Sequence, residues 1–481
     1  MSKIELPKLK KIDVNKPKKK KILLMSDDLR MHSGIATQSK EFVMGTMHKY
    51  DWVQISGAVN HPEAGKIVDM SEAASNECQV SGAYLKLYPV SGYGNPDLLR
   101  QIIEMEKPDA ILHFTDPRFW VWFYQMENEI RQTMPIFYYN IWDDLPDPLY
   151  NTNFYRSSNL LMSISKQTYG INKRILSKFG YEDWQTKYIP HGVSSKRFFK
   201  VHKQNNNFIK FEQKYGLDKY KYKILYLNRN IRRKSPGDVA MAYKHMMDKL
   251  TPEQRKDCVF VFHAAPSDEN GTDMRTLCQT LLPDYPVIFT YDFGGPMSDQ
   301  DMNYLYNSVD VYINIASNEG FGLGSLEALT VGTPIVVNVT GGLQDQCGFK
   351  KEVLFQGAGS TMEYLTEEDY VELGSNHRGE YKEHGEWVKP VFPSNISLAG
   401  SPMTPYIFDD RASYEDAGEA LLAWYNDGPE ERERCGEIGR NWVLGEESNM
   451  TTEHMSKSFI ESMDTAFKKW KPREKYTLEV V

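Results

Sequence analysis

The stretch 309–342, VDVYINIASNEGFGLGSLEALTVGTPIVVNVTGG, leaves this chain few architectures. Residues 309–316 are apolar and β-prone, the pattern of a strand buried on both faces. Ser317, Asn318 and Glu319 follow, with glycines at 320, 322 and 324. Residues 325–331 are helix formers with Leu326 and Leu329 on one face, and Gly332-Thr333-Pro334 stops that helix. Residues 335–339 are a second apolar strand. A glycine loop that runs into a helix N-terminus presents backbone N–H groups and the positive end of the helix dipole, so the unit favours an anion. Glu319 and Glu327 are eight residues apart, one in the loop and one in the helix. At that spacing they do not share one proton. They face two parts of one elongated ligand and accept hydrogen bonds from hydroxyls, because carboxylates repel phosphate.

The string EGFGLGSLE over 319–327 resembles the E-x7-E signature of retaining GT-B glycosyltransferases of the family-4 type, and Gly341-Gly342 follows the next strand. The resemblance implies an α/β fold of the GT-B class, two Rossmann-like domains facing each other across a cleft. It places Glu319 at the donor sugar and Glu327 on the nucleotide ribose. Gly320, Phe321, Gly322, Leu323 and Gly324 form the loop that holds the donor. It also implies that no cofactor or metal is required, the nucleotide sugar, with a UDP-sugar favoured, being the donor substrate.

The same reading extends along the chain. Residues 1–21 form a basic arm with Lys8, Lys10, Lys11, Lys16 and Lys18 to Lys21. It is read as solvated, with non-specific phosphate binding as the alternative. Residues 22–200 form a first, acceptor-side domain. Residues 201–450 form a nucleotide-sugar domain with an insertion at 349–403. Residues 451–481 return as a helix to the first domain. The opening strand at 22–25 leads to a loop ending in Ser33-Gly34 before a helix, a Rossmann-like start without G-x-G-x-x-G and so without support for a dinucleotide cofactor. Asp27, Asp28, Arg30 and His32 on that loop are cleft candidates; in the resembling family the loop reaches donor phosphates and acceptor.

Strands at 109–114 and 136–140 are followed by polar and aromatic loops. Ligand sites of parallel α/β sheets lie at the carboxyl ends of strands. His113, Asp116, Asn140, Trp142, Asp143 and Asp144 therefore gather on one rim, with His113 and Asp143 candidates for catalysis. Trp142 stands where the family has a histidine. The segment Ile189-Pro190-His191-Gly192-Val193 resembles the I-P-x-G-V with which the family closes its first domain. Arg229 and Lys234 match its R-x4-K pair, with Asn228 beside them. That pair holds the leaving pyrophosphate: breaking a sugar–phosphate bond builds negative charge, and two fixed cations stabilise it without a metal. Asp299-Gln300-Asp301 is a D-x-D, the metal motif of a different fold class, and here helix capping explains it better. The insertion 349–403 is expected to be the acceptor-specific element.

At 481 residues and a net charge of −8, the composition is that of a soluble globular protein. No apolar run reaches transmembrane length, and five scattered cysteines without C-x-x-C spacing fit free thiols in the cytoplasm. The acidic balance argues against bulk nucleic-acid affinity. Residues 228–236 and 116–120 nevertheless resemble glycosyltransferases encoded by tailed phages, which implies 5-hydroxymethylcytosine in phage DNA as the acceptor and a host cytoplasm as the location. Lipopolysaccharide, a polysaccharide or a protein stay open as acceptors. A non-catalytic GT-B protein that binds nucleotide sugars or nucleic acid is the reading from another class, and a nucleotide-sugar-splitting epimerase ranks below it.

Overall fold

The computed structural model describes residues 18–354, 359–373 and 379–474. Most of the basic arm, with Lys8, Lys10, Lys11 and Lys16, lies outside them. The described residues of the first half build one sheet from β1 (Lys20–Asp27), β2 (Tyr50–Ala58), β3 (Val68–Asp69), β4 (Leu85–Ser91), β5 (Ala110–Phe114), β6 (Ile136–Asn140), β7 (Leu160–Ser163) and β8 (Thr186–Tyr188). Their spatial order is β3-β4-β2-β1-β5-β6-β7-β8, parallel apart from the two-residue β3. The second half contributes β9 (Tyr222–Leu227), β10 (Cys258–His263), β11 (Val287–Phe289), β12 (Val311–Asn314) and β13 (Ile335–Asn338). Two hairpin strands, β14 (Lys350–Leu354) and β15 (Ser360–Tyr364), come next, then β16 (Val388–Val391). A second hairpin, β17 (Pro393–Ser401) and β18 (Thr404–Ala412), closes the list. The second sheet runs β11-β10-β9-β12-β13-β16, all parallel.

Helices cover both faces of each sheet, which is why the central strands read as unbroken apolar runs: Ile22, Leu23, Leu24 and Met25 of β1 are all fully buried. In each sheet the strand order reverses once, between β1 and β5 and between β9 and β12. A crevice opens at such a switch point because the connections leave in opposite directions. The loops after β1, β5, β9 and β12 therefore meet in the space between the two halves.

The chain passes between the halves twice, and the passes touch. Val193 bridges Thr451, with Val193 N–H donating to Met450 O at 2.9 Å and Thr452 N–H to Val193 O at 3.1 Å. A Cβ on Gly192 would lie 2.7 Å from Thr451 O, so only glycine allows this approach. The helix Thr452–Lys469 then lies against the first sheet, with Phe459 4.7 Å from Phe42 and 5.0 Å from Tyr139 between ring centroids. Tyr50 Oη donates to Asp464 at 2.8 Å.

Two details differ from the sequence reading. The span 349–403 is not wholly an insertion, because β16 inside it is the edge strand of the second sheet. Its four residues, VKPV, are too short and too polar to show the pattern of a buried strand, and Pro390 suits an edge. The D-x-D does not cap the helix Asp299–Ser308: Ser298 does, accepting from Asp301 N–H at 3.2 Å, and Asp299 and Asp301 fill the first turn, where the dipole favours acids. The stretch Tyr414–Leu444 is two helices that meet at a kink, where Gly428 takes a non-helical φ of +81° before Pro429, as the two separate helical patterns at 413–426 and 430–443 predict.

Candidate active site

The switch-point loops open on a cleft of about 1240 Å³. Ser33, Gly34, Asp143, Asn228, Arg229, Lys234, the loop Glu319 to Gly324, and Glu327 all line it. The glycine loop is held by its own neighbours. Gly322 takes a φ of +89° and turns the chain into the helix Leu323–Val331. A Cβ on Gly324 would come 2.4 Å from Tyr312 Oη. Gly341 and Gly342 lie flat on the backbone of Glu319 and Gly320: their Cβ atoms would sit 2.0 Å from Glu319 O and 2.4 Å from Gly320 O. Gly342 N–H donates to Glu319 O at 2.9 Å, and Gln346 Nε2 donates to Phe321 O at 2.7 Å and to Gly322 O at 3.1 Å. With the carbonyls held from behind, the first-turn N–H groups of the helix, which have no intrahelical acceptor, are presented to the cleft at Leu323 and Gly324. Across the gap, Gly34 starts the helix Gly34–Thr46, capped by Ser33, which accepts from Ala36 N–H at 3.1 Å. A Cβ on Gly34 would be 3.4 Å from Leu323 Cδ1, so the two helix N-termini converge.

A charged cluster flanks this anion-favouring point. Lys234 Nζ pairs with Glu319 in a buried contact. Burial opposes the carboxylate, but Lys234 and Arg233 together outweigh it and hold Glu319 below the ordinary glutamate range. Arg233 donates to Asn318 O at 2.7 Å and lies 3.7 Å from Asp143. Arg229 is 64% exposed and donates to Asp268 at 2.9 Å. Asn228 presents a buried amide nitrogen without an acceptor. At the other end, Tyr306 Oη donates to Glu327 at 2.8 Å, and burial pushes the Glu327 carboxyl up to about 7. Near it Arg197 forks between Asp299 (3.1 and 3.0 Å) and Glu41 (3.3 Å).

His113 is not in this cleft. In β5 successive side chains alternate faces, and His113 points to the layer of Trp120, Phe123 and Tyr124, fully buried. Its Nδ1 is 2.8 Å from Tyr124 Oη, and burial lowers its pKa to about 3. Asn140 is likewise turned inward, donating to Asn172 at 2.8 Å. Asp28 is buried against Arg30 and His61, and Arg30 also pairs with Glu63, which makes that loop a structural cluster; His32 does line the cleft. Trp142 is buried and donates to Asp144 O at 2.7 Å.

Sequence reasoning missed three features. Arg233 lies in the basic run beside Lys234, and the run itself was the signal. Arg197 has no local signal. The third is the β17–β18 hairpin, which rises from the second half and crosses to the first. Arg118 contacts Thr404, Tyr150 Oη donates to Tyr406 O at 2.9 Å, and Phe408 N–H donates to Leu145 O at 2.6 Å. Ala399, Gly400, Ser401, Thr404 and Asp409 form a wall of the cleft. Among the described residues no helix is long and apolar enough to cross a membrane, and all five cysteines are free.

Residues 207–355 match the family model described as "Glycosyl transferases group 1". The chain is similar to mannosylfructose-phosphate synthase of Agrobacterium fabrum, 22% identical over 205 residues that cover 42% of each protein. It spans less than half the length of the curated relatives it matches. Among solved structures it resembles sucrose-phosphate synthase from Thermosynechococcus elongatus, with a TM-score of 0.62 at 14% identity over 94% of this chain and 100% of that one. It also resembles Anabaena HepE in complex with UDP and glucose, with a TM-score of 0.61 at 12% identity over 93% and 100%. The fold is GT-B, two Rossmann-like domains facing each other across the cleft.

Proposed function

We propose that this chain is a retaining glycosyltransferase that moves a sugar from a nucleotide sugar, a UDP-sugar in the first instance, to an acceptor hydroxyl. One observation carries the reading: Lys234, paired with Glu319, lines the same cleft as the N-terminus of the helix Leu323–Val331 and Glu327. That arrangement fits a diphosphate flanked by two hydroxyl-bearing rings. The match of 207–355 to a glycosyltransferase family, and the UDP and glucose bound by HepE, support the donor class. In the reaction the bond from the anomeric carbon to the phosphate oxygen breaks and the acceptor oxygen bonds to that carbon on the same face. The acceptor proton passes to the leaving phosphate. Lys234, Arg233 and Arg229 stabilise the charge that develops on the diphosphate. Asp143 sits within reach of Arg233 on the acceptor side.

For the acceptor we take 5-hydroxymethylcytosine in DNA. Phe119 is 57% exposed and stacks on Tyr93 at 5.3 Å, beside Asp116 and Arg118 of the cleft rim. Such a flat aromatic face suits a base taken out of its helix. The experiment is a thermal-shift and mass-spectrometric screen of UDP-, GDP- and ADP-sugars, each with and without hydroxymethylcytosine-containing DNA. A mass gain on the DNA fixes donor and acceptor together. Donor hydrolysis without a gain on DNA keeps the transferase and moves the acceptor to glycans or lipids. A donor that is bound but never consumed, with or without DNA, leaves a non-catalytic binding protein.

Glu327 gives a separate expectation. If its carboxylate accepts from the ribose hydroxyls, the ionised form binds the nucleotide. Its pKa is held up at about 7 in the free protein, so nucleotide affinity rises as pH goes from 6 to 8. Titration calorimetry should show a tightening of up to about 10-fold per pH unit below that pKa. Glu327→Gln should flatten the dependence and Glu327→Ala should weaken binding; a dependence that survives in Glu327→Gln assigns it to another group.

A further inference from the structure

His191 lines the cleft floor and is 4% exposed. Its ring is fixed on three sides, 5.1 Å from Phe321, 5.4 Å from Tyr139 and 5.8 Å from Phe114 between centroids. Tyr139 Oη lies 2.7 Å from Ile189 O and 2.9 Å from His191 Nδ1. A phenol has one proton, and the Ile189 carbonyl can only accept. The shorter contact takes that proton, so the phenol oxygen must accept from the imidazole, and Nδ1 carries the hydrogen. Nε2 is left with its lone pair and, among the described residues, without a hydrogen-bond partner, in a residue that lines the cleft. Burial lowers the imidazole pKa to about 3, so the ring stays neutral across the working range.

A neutral, immobile nitrogen that can only accept is a poor neighbour for a phosphate, whose oxygens also accept. It matches a hydroxyl. Of the parts of a nucleotide sugar, the one that reaches the Glu319, Gly320 and Phe321 turn beside this ring is the sugar. We propose that His191 is a specificity-determining residue that accepts a hydrogen bond from one hydroxyl of the transferred sugar through Nε2, an assignment that rests on the transferase reading above. A site built around such a bond rejects an analogue that lacks the hydroxyl, because Nε2 is then left dry and unpaired.

The test uses the full chain with UDP-glucose, its four monodeoxy analogues and UDP alone, read as donor hydrolysis and as calorimetric affinity. In the wild type one deoxy position should lower kcat/KM by about 100-fold or more relative to the others. His191→Phe keeps the ring and removes the nitrogen. It should lose that discrimination and weaken UDP-glucose while UDP affinity stays within about 3-fold, and His191→Gln, whose amide oxygen can accept, should recover part of it. Wild-type tolerance of every deoxy position overturns the proposal without any variant, so a misfolded His191→Phe does not protect it. Equal loss of UDP and UDP-glucose affinity in a folded His191→Phe also overturns it. A wild type that binds and consumes no nucleotide sugar overturns the transferase reading itself, which separates the two failures.

Discussion

Lys234→Met should lower sugar transfer by about 10³-fold or more, the scale of losing one fixed cation from a phosphoryl leaving group. Methionine keeps most of the unbranched stem and removes the ammonium group with its charge and its donors. Because Lys234 is buried against Glu319, its loss also strands a carboxylate, and a buried pair broken on one side costs about 3–5 kcal/mol of stability. Lys234→Met with Glu319→Gln therefore serves as the control. It should restore the melting temperature and leave transfer as low as in the single variant. Near-normal turnover of the folded double variant would remove Lys234 from the leaving-group site. Arg229→Ala should cost less, about 10- to 100-fold, since its guanidinium is exposed and must first leave Asp268 to reach the diphosphate.

Shortening the β17–β18 hairpin separates transfer from donor use. Replacing residues 399–407 by a two-residue Asn-Gly turn joins the paired Leu398 and Phe408, removes the part of the cleft wall at Ala399 to Thr404 and leaves Asn338 and Thr340 anchored to Asp410. Transfer should fall about 100-fold, as expected when an acceptor loses its positioning surface, with donor hydrolysis held within about 3-fold. Measured together on one preparation, parallel loss of both rates would show that the hairpin orders the donor site instead. The deletion is confined to the tip because β16, upstream of it, completes the second sheet.

What was legible in the chain followed from backbone demands. The glycines at 322, 324, 341 and 342 stand where an added Cβ would strike neighbouring atoms or where φ is positive, so the loop announced itself in composition. Long apolar strands announced themselves in the same way. His113 was misjudged because position near a strand's carboxyl end does not say which face a side chain takes; parity does, and parity turned it into the aromatic layer. Arg233 and Arg197 escaped because their partners, Asp143, Asp299 and Glu41, are far away in the chain. The hairpin was hidden because its strands pair only with each other and alternate weakly, so no burial pattern marks them.

The paired crossings at Val193 and Thr451 form a clasp, since the two passes of the chain are hydrogen-bonded to each other and not only to their own halves. At the opposite rim the β17–β18 hairpin is bonded to the first half through Leu145 and Tyr150. The cleft is thus closed by main-chain bonds at both ends, and its width is fixed by two seams far apart in the chain and short in space.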